Sequence, residues 1–304
     1  MNIALVHDWI TGIAGDVRVL KQIHEMYPEA PIYCLYRDKK FTDEFLPKAQ
    51  VISSNKFFKP FLPAAIESID LSDYDIVISV GSIFSKGLIL RPKTYHINYC
   101  HSPTRQVWDL SSETLHATRF ALHKKMFLHF FRIWDRQAST RVDQFVANSE
   151  HVRARIKKYY HRDATVIYPP VETKHEVRNT KHDNYFLIIS RLYKHKNVDI
   201  AIKAFNKLGM NLVIIGDGPE RKRLEAMAHG KPVLALRRGG ALEYIEEGVN
   251  GLFFDDPHEA VLADGIRRIK EINFDSEKIK ASAQKFSCQK FQSSFSNIIT
   301  QLTR

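Results

Sequence analysis

The groups best suited to chemistry in this 304-residue chain lie just beyond apolar runs, where glycines, histidines and cations collect. The run 2–7 leads into His7-Asp8-Trp9-Ile10-Thr11-Gly12-Ile13-Ala14-Gly15-Asp16, a glycine-containing loop that opens a helix near Asp16. Backbone N–H groups at such a helix start can hold a phosphate. Gly12 and Gly15 are three apart, so the G-x-G-x-x-G spacing of a nicotinamide dinucleotide site is absent. After 95–100 come His101-Ser102-Pro103-Thr104-Arg105, in which His101 and Arg105 could meet a phosphate or a sugar hydroxyl. Taken singly, His101 fits a structural role as well. The run 185–189 ends in Ser190-Arg191-Leu192-Tyr193-Lys194-His195-Lys196-Asn197. Arg191 and Lys196 there precede a helix start, where side-chain charge and helix dipole both suit phosphate. Gly216-Asp217-Gly218-Pro219 and Arg238-Gly239-Gly240-Ala241 are two more glycine turns at helix starts. Each is ordinary alone. Several phosphate-suited strand ends, divided between two segments of chain, favour a nucleoside diphosphate ligand.

The elements that must carry these loops alternate between strand and helix. Strands are expected at 2–7, 31–35, 51–53, 76–80, 95–100, 144–148 and 164–167, then at 185–190, 212–215, 233–236 and 251–254. Helical spacing lies between them, as in 198–208, where Val198, Ala201, Ile202 and Phe205 share a face. Alternation of this kind predicts parallel sheets covered by helices. In such sheets, ligands gather beyond the carboxyl ends of strands. A polar stretch at 172–184 reads as a linker between an N-terminal Rossmann-like domain, 1–171, and a second domain, 185–285, closed by a helix at 286–304. The expected fold is therefore α/β, with two Rossmann-like domains facing across a cleft.

Composition narrows the setting. Hydrophobic content of 44% and charged content of 26% are those of a soluble globular protein, and no apolar run approaches the ~18 residues of a membrane-spanning helix. The N-terminus lacks the pattern of a signal peptide, and three scattered cysteines, Cys34, Cys100 and Cys288, fit reduced thiols in a cytoplasm. No metal-ligand spacing is present. A net charge of +11 implies anionic partners, or simply a solvated surface rich in lysine. Nucleic acid is disfavoured, since there is no recognised binding motif and no concentrated basic stripe. The longest helical candidate, 115–141, sets Phe120, Phe127, Phe130, Phe131 and Trp134 beside Arg119, Lys124, Lys125, Arg132 and Arg136. Its aromatics suit either a core-facing stripe or an anionic membrane surface.

Read in order, "HDWITGIAGD", "YDIVISVGSIFSKG", "YCHSPTRQVWDL", "VANSEHVRARIKKYY", "VIYPPVE", "ISRLYKHKNVDIAIKAFNKLG", "IIGDGPE" and "GKPVLALRRGGALEYIEEGVNGLFF" resemble the family-four retaining glycosyltransferases. Among these, the bacterial mannosyltransferase-like members of polysaccharide assembly are the nearest likeness. The resemblance implies a GT-B fold, a donor held mainly by the second domain and a glycan or lipid-linked acceptor held by the first. No cofactor is implied beyond the nucleotide-sugar substrate, GDP-mannose being the expected donor, and cationic side chains neutralise the leaving diphosphate without a metal. On matching positions the resemblance makes His101, Arg191 and Lys196 catalytic, with His101 by the transferred sugar. It makes Gly12, Gly15, Asp16, Arg105, Gly216, Asp217, Gly218, Glu225, Gly239 and Gly240 donor contacts. Gly15 would help hold the diphosphate, 216–218 would lie near the base, and Glu225 would take the ribose hydroxyls. The implied mechanism is front-face retention with electrostatic stabilisation dominant. The implied setting is cytoplasmic, with peripheral attachment to the inner face of a membrane as an option.

Two departures from the family pattern matter. Ala14-Gly15-Asp16 replaces the usual glycine pair, which restricts backbone approach. Between the GDGP turn and the EAMA segment at 225–228 lie only residues 220–224, where the family carries further β/α elements and the first acid of its E-x7-E motif. That is a loss of roughly two βα units, about 50–60 residues. Asp217, eight positions before Glu225, belongs to the turn and matches by accident. The second domain is thus expected to be shortened, with a sheet gap or a new edge. Two readings follow: an active transferase, or a non-catalytic remnant that binds an acceptor or partner.

Overall fold

Seven short apolar runs pair side by side to form the centre of the first of two structural units, Met1–Tyr168, in a computed structural model. It describes residues 1–53, 62–109, 121–171, 186–190, 198–216, 232–239 and 241–302. The strands are β1 (Ile3–Ile10), β2 (Ile32–Arg37), β3 (Val51–Ser53), β4 (Ile76–Gly81), β5 (Tyr95–Cys100), β6 (Gln144–Ala147) and β7 (Ala164–Val166). All pairings are parallel and the order is β3-β2-β1-β4-β5-β6-β7. A parallel sheet is covered on both faces, so its central strands cannot alternate polar and apolar. β4 accordingly has every residue buried.

Around this sheet the unit carries α1 (Gly15–Met26), α2 (Lys39–Phe45), α3 (Leu62–Glu67), α4 (Arg105–Trp108), α5 (Ala121–Thr140) and α6 (Glu150–Tyr160). α1 buries Val17, Val19, Leu20 and Ile23. α6 starts where the Ser149 side chain accepts the Val152 N–H at 3.2 Å, and it ends at His161 in the left-handed region, φ 56°. β1 extends three residues further than the apolar run 2–7 suggests, because Trp9 and Ile10 pair with Tyr36 and Arg37 of β2. Polar His7 and Asp8 hide that extension in the sequence. They are strand residues rather than loop residues.

The second unit, Pro169–Arg304, contains β8 (Phe186–Ser190) paired in parallel with β9 (Leu212–Gly216), and β10 (Val233–Leu236) paired in parallel with β11 (Gly251–Phe254). Among the described residues these are two separate two-stranded sheets. Its helices are α7 (Val198–Leu208), α8 (Ala241–Tyr244), α9 (Glu259–Glu271), α10 (Ser276–Ala283) and α11 (Cys288–Leu302). Ala201, Ala204 and Phe205 of α7 pack with Leu262, Ala263 and Ile266 of α9. Phe186, Ile188 and Leu212 from one sheet and Leu234 and Phe254 from the other join that same core. α7 and α9 thus bridge the two pairs of strands. The expected linker, 172–184, lies outside the described residues.

Candidate functional site

Strand order reverses between β1 and β4, and such a switch point leaves a crevice at the carboxyl ends of the strands. His7 and Asp8 lie in β1, Gly81 ends β4, and His101 follows β5, so the pairing β1–β4–β5 brings all four to one place. Asp8 organises this end of the sheet. Its carboxylate accepts the N–H groups of Ser82, Ile83, Phe84 and Ser85 at 3.2, 3.0, 2.9 and 2.6 Å. These donors lie at the start of the 3-10 turn Ser85–Gly87, whose first N–H groups lack partners of their own. Gly81 is required by the same contact: a Cβ there would lie 2.4 Å from Ser85 Oγ and 2.8 Å from Asp8 Oδ2.

Asp16, in the first turn of α1, lies between two histidines. Its Oδ2 is 3.8 Å from Nε2 of His7, whose side chain is fully buried. Burial pushes the Asp16 carboxyl up, but His7, His101 and the Val17 N–H together outweigh that and hold it below the ordinary carboxylate value. His101 donates its backbone N–H to Gly81 O at 3.2 Å, accepts at its carbonyl from Asn148 Nδ2 at 3.2 Å, and tilts its ring against Tyr99 at 5.2 Å. Burial drives its imidazole down to about 4, although Asp16 and Asp8 pull the other way, so it is neutral at physiological pH. Both ring nitrogens of His7 and Nε2 of His101 are buried with no hydrogen-bond partner among the described residues. Buried polar atoms are nearly always paired, so three unpaired nitrogens beside one carboxylate make this end of the sheet a candidate for binding a polar ligand.

The helix start beside them is open. Ala14 precedes α1 and has no side chain with which to cap it. A Cβ at Gly12 or at Gly15 would meet nothing within 4 Å, so the loop faces open space rather than a packed wall. Arg105 heads α4 four residues beyond His101, with its half-exposed side chain 3.8 Å from Asp109.

Beneath the site a buried network fixes the loop after β5. Asp135 of α5 and Lys86 form an ion pair at 2.6 Å, both almost wholly buried. Asp135 also accepts from Thr104 Oγ1 at 2.6 Å, Trp108 Nε1 at 2.7 Å and Tyr160 OH at 2.8 Å, while Lys86 donates to Ile83 O and to Thr104 Oγ1. One carboxylate therefore ties together the turn after β4, the loop after β5, and helices α4, α5 and α6. The reading of the sequence missed Asp8, Lys86 and Asp135. For Asp8 and Lys86 the only signal is a charge set among apolar neighbours; Asp135, followed directly by Arg136 and Gln137, carries none.

Of the expected site residues, Gly15, Asp16 and His101 converge in the first unit, with Gly12 in the adjoining loop. Gly216 ends β9 and Gly239 follows β10, in the second unit and on different sheets. Gly239 has φ 60°, a conformation that only glycine adopts without strain. Arg191, Lys196, Asp217, Gly218, Glu225 and Gly240 lie outside the described residues. Burial pushes the thiols of Cys34 and Cys100 up to about 12, which keeps them protonated.

Glycosyltransferase family models match across both units. A family model described as Glycosyltransferase Family 4 matches residues 29–175, and one described as Glycosyl transferases group 1 matches residues 171–225 and 221–286. The alpha-1,3/1,6-mannosyltransferase ALG2 of Candida glabrata is 29% identical over 136 residues, which take in 39% of this chain and 28% of that protein. The chain thus spans little more than a quarter of that relative's length. Among solved structures, Anabaena Alr3699/HepE in complex with UDP superposes with a TM-score of 0.70 at 15% identity, covering 99% of this chain and 100% of the other. The apo lipopolysaccharide outer core galactosyltransferase WaaB gives a TM-score of 0.67 at 15% identity over 99% of both chains. At these identities the likeness is one of fold, and that fold is GT-B.

Proposed function

The chain belongs to the glycosyltransferases, a Glycosyltransferase Family 4 domain followed by a Glycosyl transferases group 1 domain, and we propose that it transfers a hexose from a nucleoside diphosphate sugar to a glycan or lipid-linked acceptor in surface polysaccharide assembly. The single observation that carries this reading is the partly buried cluster of His7, Asp16 and His101, with its orphaned imidazole nitrogens, at the switch point beside a helix start whose N-cap residue has no capping side chain. A neutral imidazole can exchange a hydrogen bond with a sugar hydroxyl without adding charge, and an ionised Asp16 can accept one. Neither suits a diphosphate by charge, which leaves that group to the helix N-terminus at Gly15 and to Arg191 and Lys196. Mannose is the proposed sugar and GDP-mannose the proposed donor, supported by the likeness to the Candida glabrata mannosyltransferase. UDP is the alternative, after the bound nucleotide of the Anabaena protein. A cytoplasmic setting belongs to the same proposal.

In the proposed step the anomeric carbon–phosphate oxygen bond breaks as the acceptor hydroxyl attacks from the same face. The hydroxyl proton passes to the departing phosphate oxygen, and the anomeric configuration is retained. His101 positions the sugar, while Arg191, Lys196 and the α1 N-terminus stabilise the charge that accumulates on the leaving diphosphate. Incubating the purified protein with radiolabelled GDP-mannose and a membrane lipid extract tests the reading. Product that vanishes in Arg191→Ala and falls by about 10²-fold or more in His101→Ala supports it, a loss of the size expected for one electrostatic contact. Turnover untouched by both variants overturns it.

A second reading has its own observation. The group 1 match comes in two pieces that overlap at residues 221–225, and β8–β9 and β10–β11 are separate sheets among the described residues. Both features favour an interior deletion in the second domain. A chain so shortened would keep the first unit as a binding module and fail to hold donor. Transfer lost in Arg191→Ala refutes this reading.

A further inference from the structure

One buried hydroxyl beneath the site has no part in the sugar-transfer reading. Thr104 is the residue before α4, where a threonine side chain ordinarily accepts an N–H of the helix it starts. It makes no such cap; the residue is 1% exposed and its hydroxyl is used elsewhere. Oγ1 donates to Asp135 Oδ1 at 2.6 Å and accepts from Lys86 Nζ at 3.3 Å. Ser82 O lies 3.1 Å from the same atom, but a hydroxyl has one proton and the shorter contact to the carboxylate holds it.

The Lys86 ammonium is equally committed. Its three protons go to Asp135, Ile83 O and Thr104 Oγ1, every donor a lysine has. Asp135 does not need Thr104 to be satisfied, since Lys86, Trp108 and Tyr160 already donate to it. What the hydroxyl adds is a connection. The turn after β4 gives the N–H groups of residues 82–85 to Asp8, and through Ile83 O and Lys86 it reaches Thr104. Three residues before Thr104, His101 donates its backbone N–H to Gly81 O at 3.2 Å, so the two strand-end loops are joined at two points. α4 is a single turn, too short to persist alone, and it is held by Arg132 Nε on Val107 O at 2.6 Å and by Trp108 on Asp135. A reacting group gains from a support of this kind, because a small misplacement costs rate. We propose that Thr104 is a positioning residue for His101: its hydroxyl couples the buried Lys86–Asp135 pair to the loop after β5 and so fixes where the imidazole stands beside Asp16 and His7. The inference rests on the reading of His101 as the residue by the transferred sugar, and extends it to a side chain that touches no substrate.

Three variants test it. Thr104→Val removes the hydroxyl at nearly constant volume, and Thr104→Ser keeps it. Thr42→Val is the matched control: Thr42 is also 1% exposed, and its hydroxyl donates at 2.6 Å to Asp38 O at the start of α2. Titration of the imidazoles by NMR, without donor or acceptor, reads the position directly. Burial holds His101 down at about 4, with Asp16 and Asp8 pulling it up and His7 pulling it down. In Thr104→Val, water entering a loosened loop should move it up towards 6.5, and kcat for sugar transfer should fall about ten-fold with KM for the donor little changed. Thr104→Ser and Thr42→Val should titrate and turn over like wild type. His101 unmoved in a folded Thr104→Val, or moved as far in Thr42→Val, overturns the proposal. If Thr104→Val does not fold, Thr104→Ala, which removes the hydroxyl without setting a methyl in its place, carries the same comparison. A wild-type protein that transfers no sugar contradicts the sugar-transfer reading alone, and the titration still decides what holds the imidazole.

Discussion

At the scale of single residues the account rests on carboxylates and imidazoles placed where water is scarce. Asp8 accepts four backbone N–H groups, and its loss leaves buried donors without partners. Asp8→Asn should lower stability by about 1–3 kcal/mol in urea unfolding, the usual cost of unsatisfied buried groups. Gly81→Ala should damage the same turn, since its methyl would overlap Ser85 and the Asp8 carboxylate. The histidines make a pH prediction with a definite sign. Burial holds His101 at about 4 and His96 at about 3, both below the ordinary histidine value of 6.5. The unfolded chain therefore binds protons that the folded chain refuses as pH drops below about 6.5, and stability rises with pH across that window. The melting temperature should fall steadily from pH 6.5 towards pH 4, and His101→Asn should make the fall shallower. A wild-type curve that stays flat over that range contradicts the burial argument.

At the scale of elements the ion pair of Lys86 with Asp135 is the joint that sets the loop after β5. Removing one partner strands a buried charge, so Asp135→Asn or Lys86→Met should each cost about 3–5 kcal/mol in equilibrium unfolding. The double variant Lys86→Met with Asp135→Asn should cost less than the two single losses together, because it leaves no bare charge. Strictly additive losses would mean that the pair is not coupled. Most elements were legible in the sequence. The strands of a parallel sheet are continuous apolar runs, and β3, β5, β10 and β11 fall on the expected residues. His101, Asp16 and Gly15 stand out in the sequence as candidates because each follows a strand end, and the structure brings them to the same end of the sheet. The partnership of Asp8 with residues 82–85 was not, since it depends on β1 lying beside β4 across more than seventy positions of chain. Similarly, nothing in the spacing of α5 says which of its aromatics face inward; Phe84, from the turn after β4, decides that by packing on Phe131 and Trp134.

For the whole molecule, two units carry two parts of one proposed reaction. The first unit is a complete seven-stranded sheet with its polar cluster at the switch point. The second holds its strands in two pairs joined through α7 and α9, and the proposed contact to the base and the proposed cations Arg191 and Lys196 belong to it. Whether it grips a nucleotide therefore separates the transferase from the remnant. Calorimetric titration of the purified protein with GDP, GDP-mannose, UDP and UDP-glucose measures this directly. Saturable heat with a nucleoside diphosphate sugar, greatly weakened in Arg191→Ala, is the predicted result. No heat and no thermal shift with any of the four at millimolar concentration would contradict the assignment of this chain as a nucleotide-sugar-dependent glycosyltransferase.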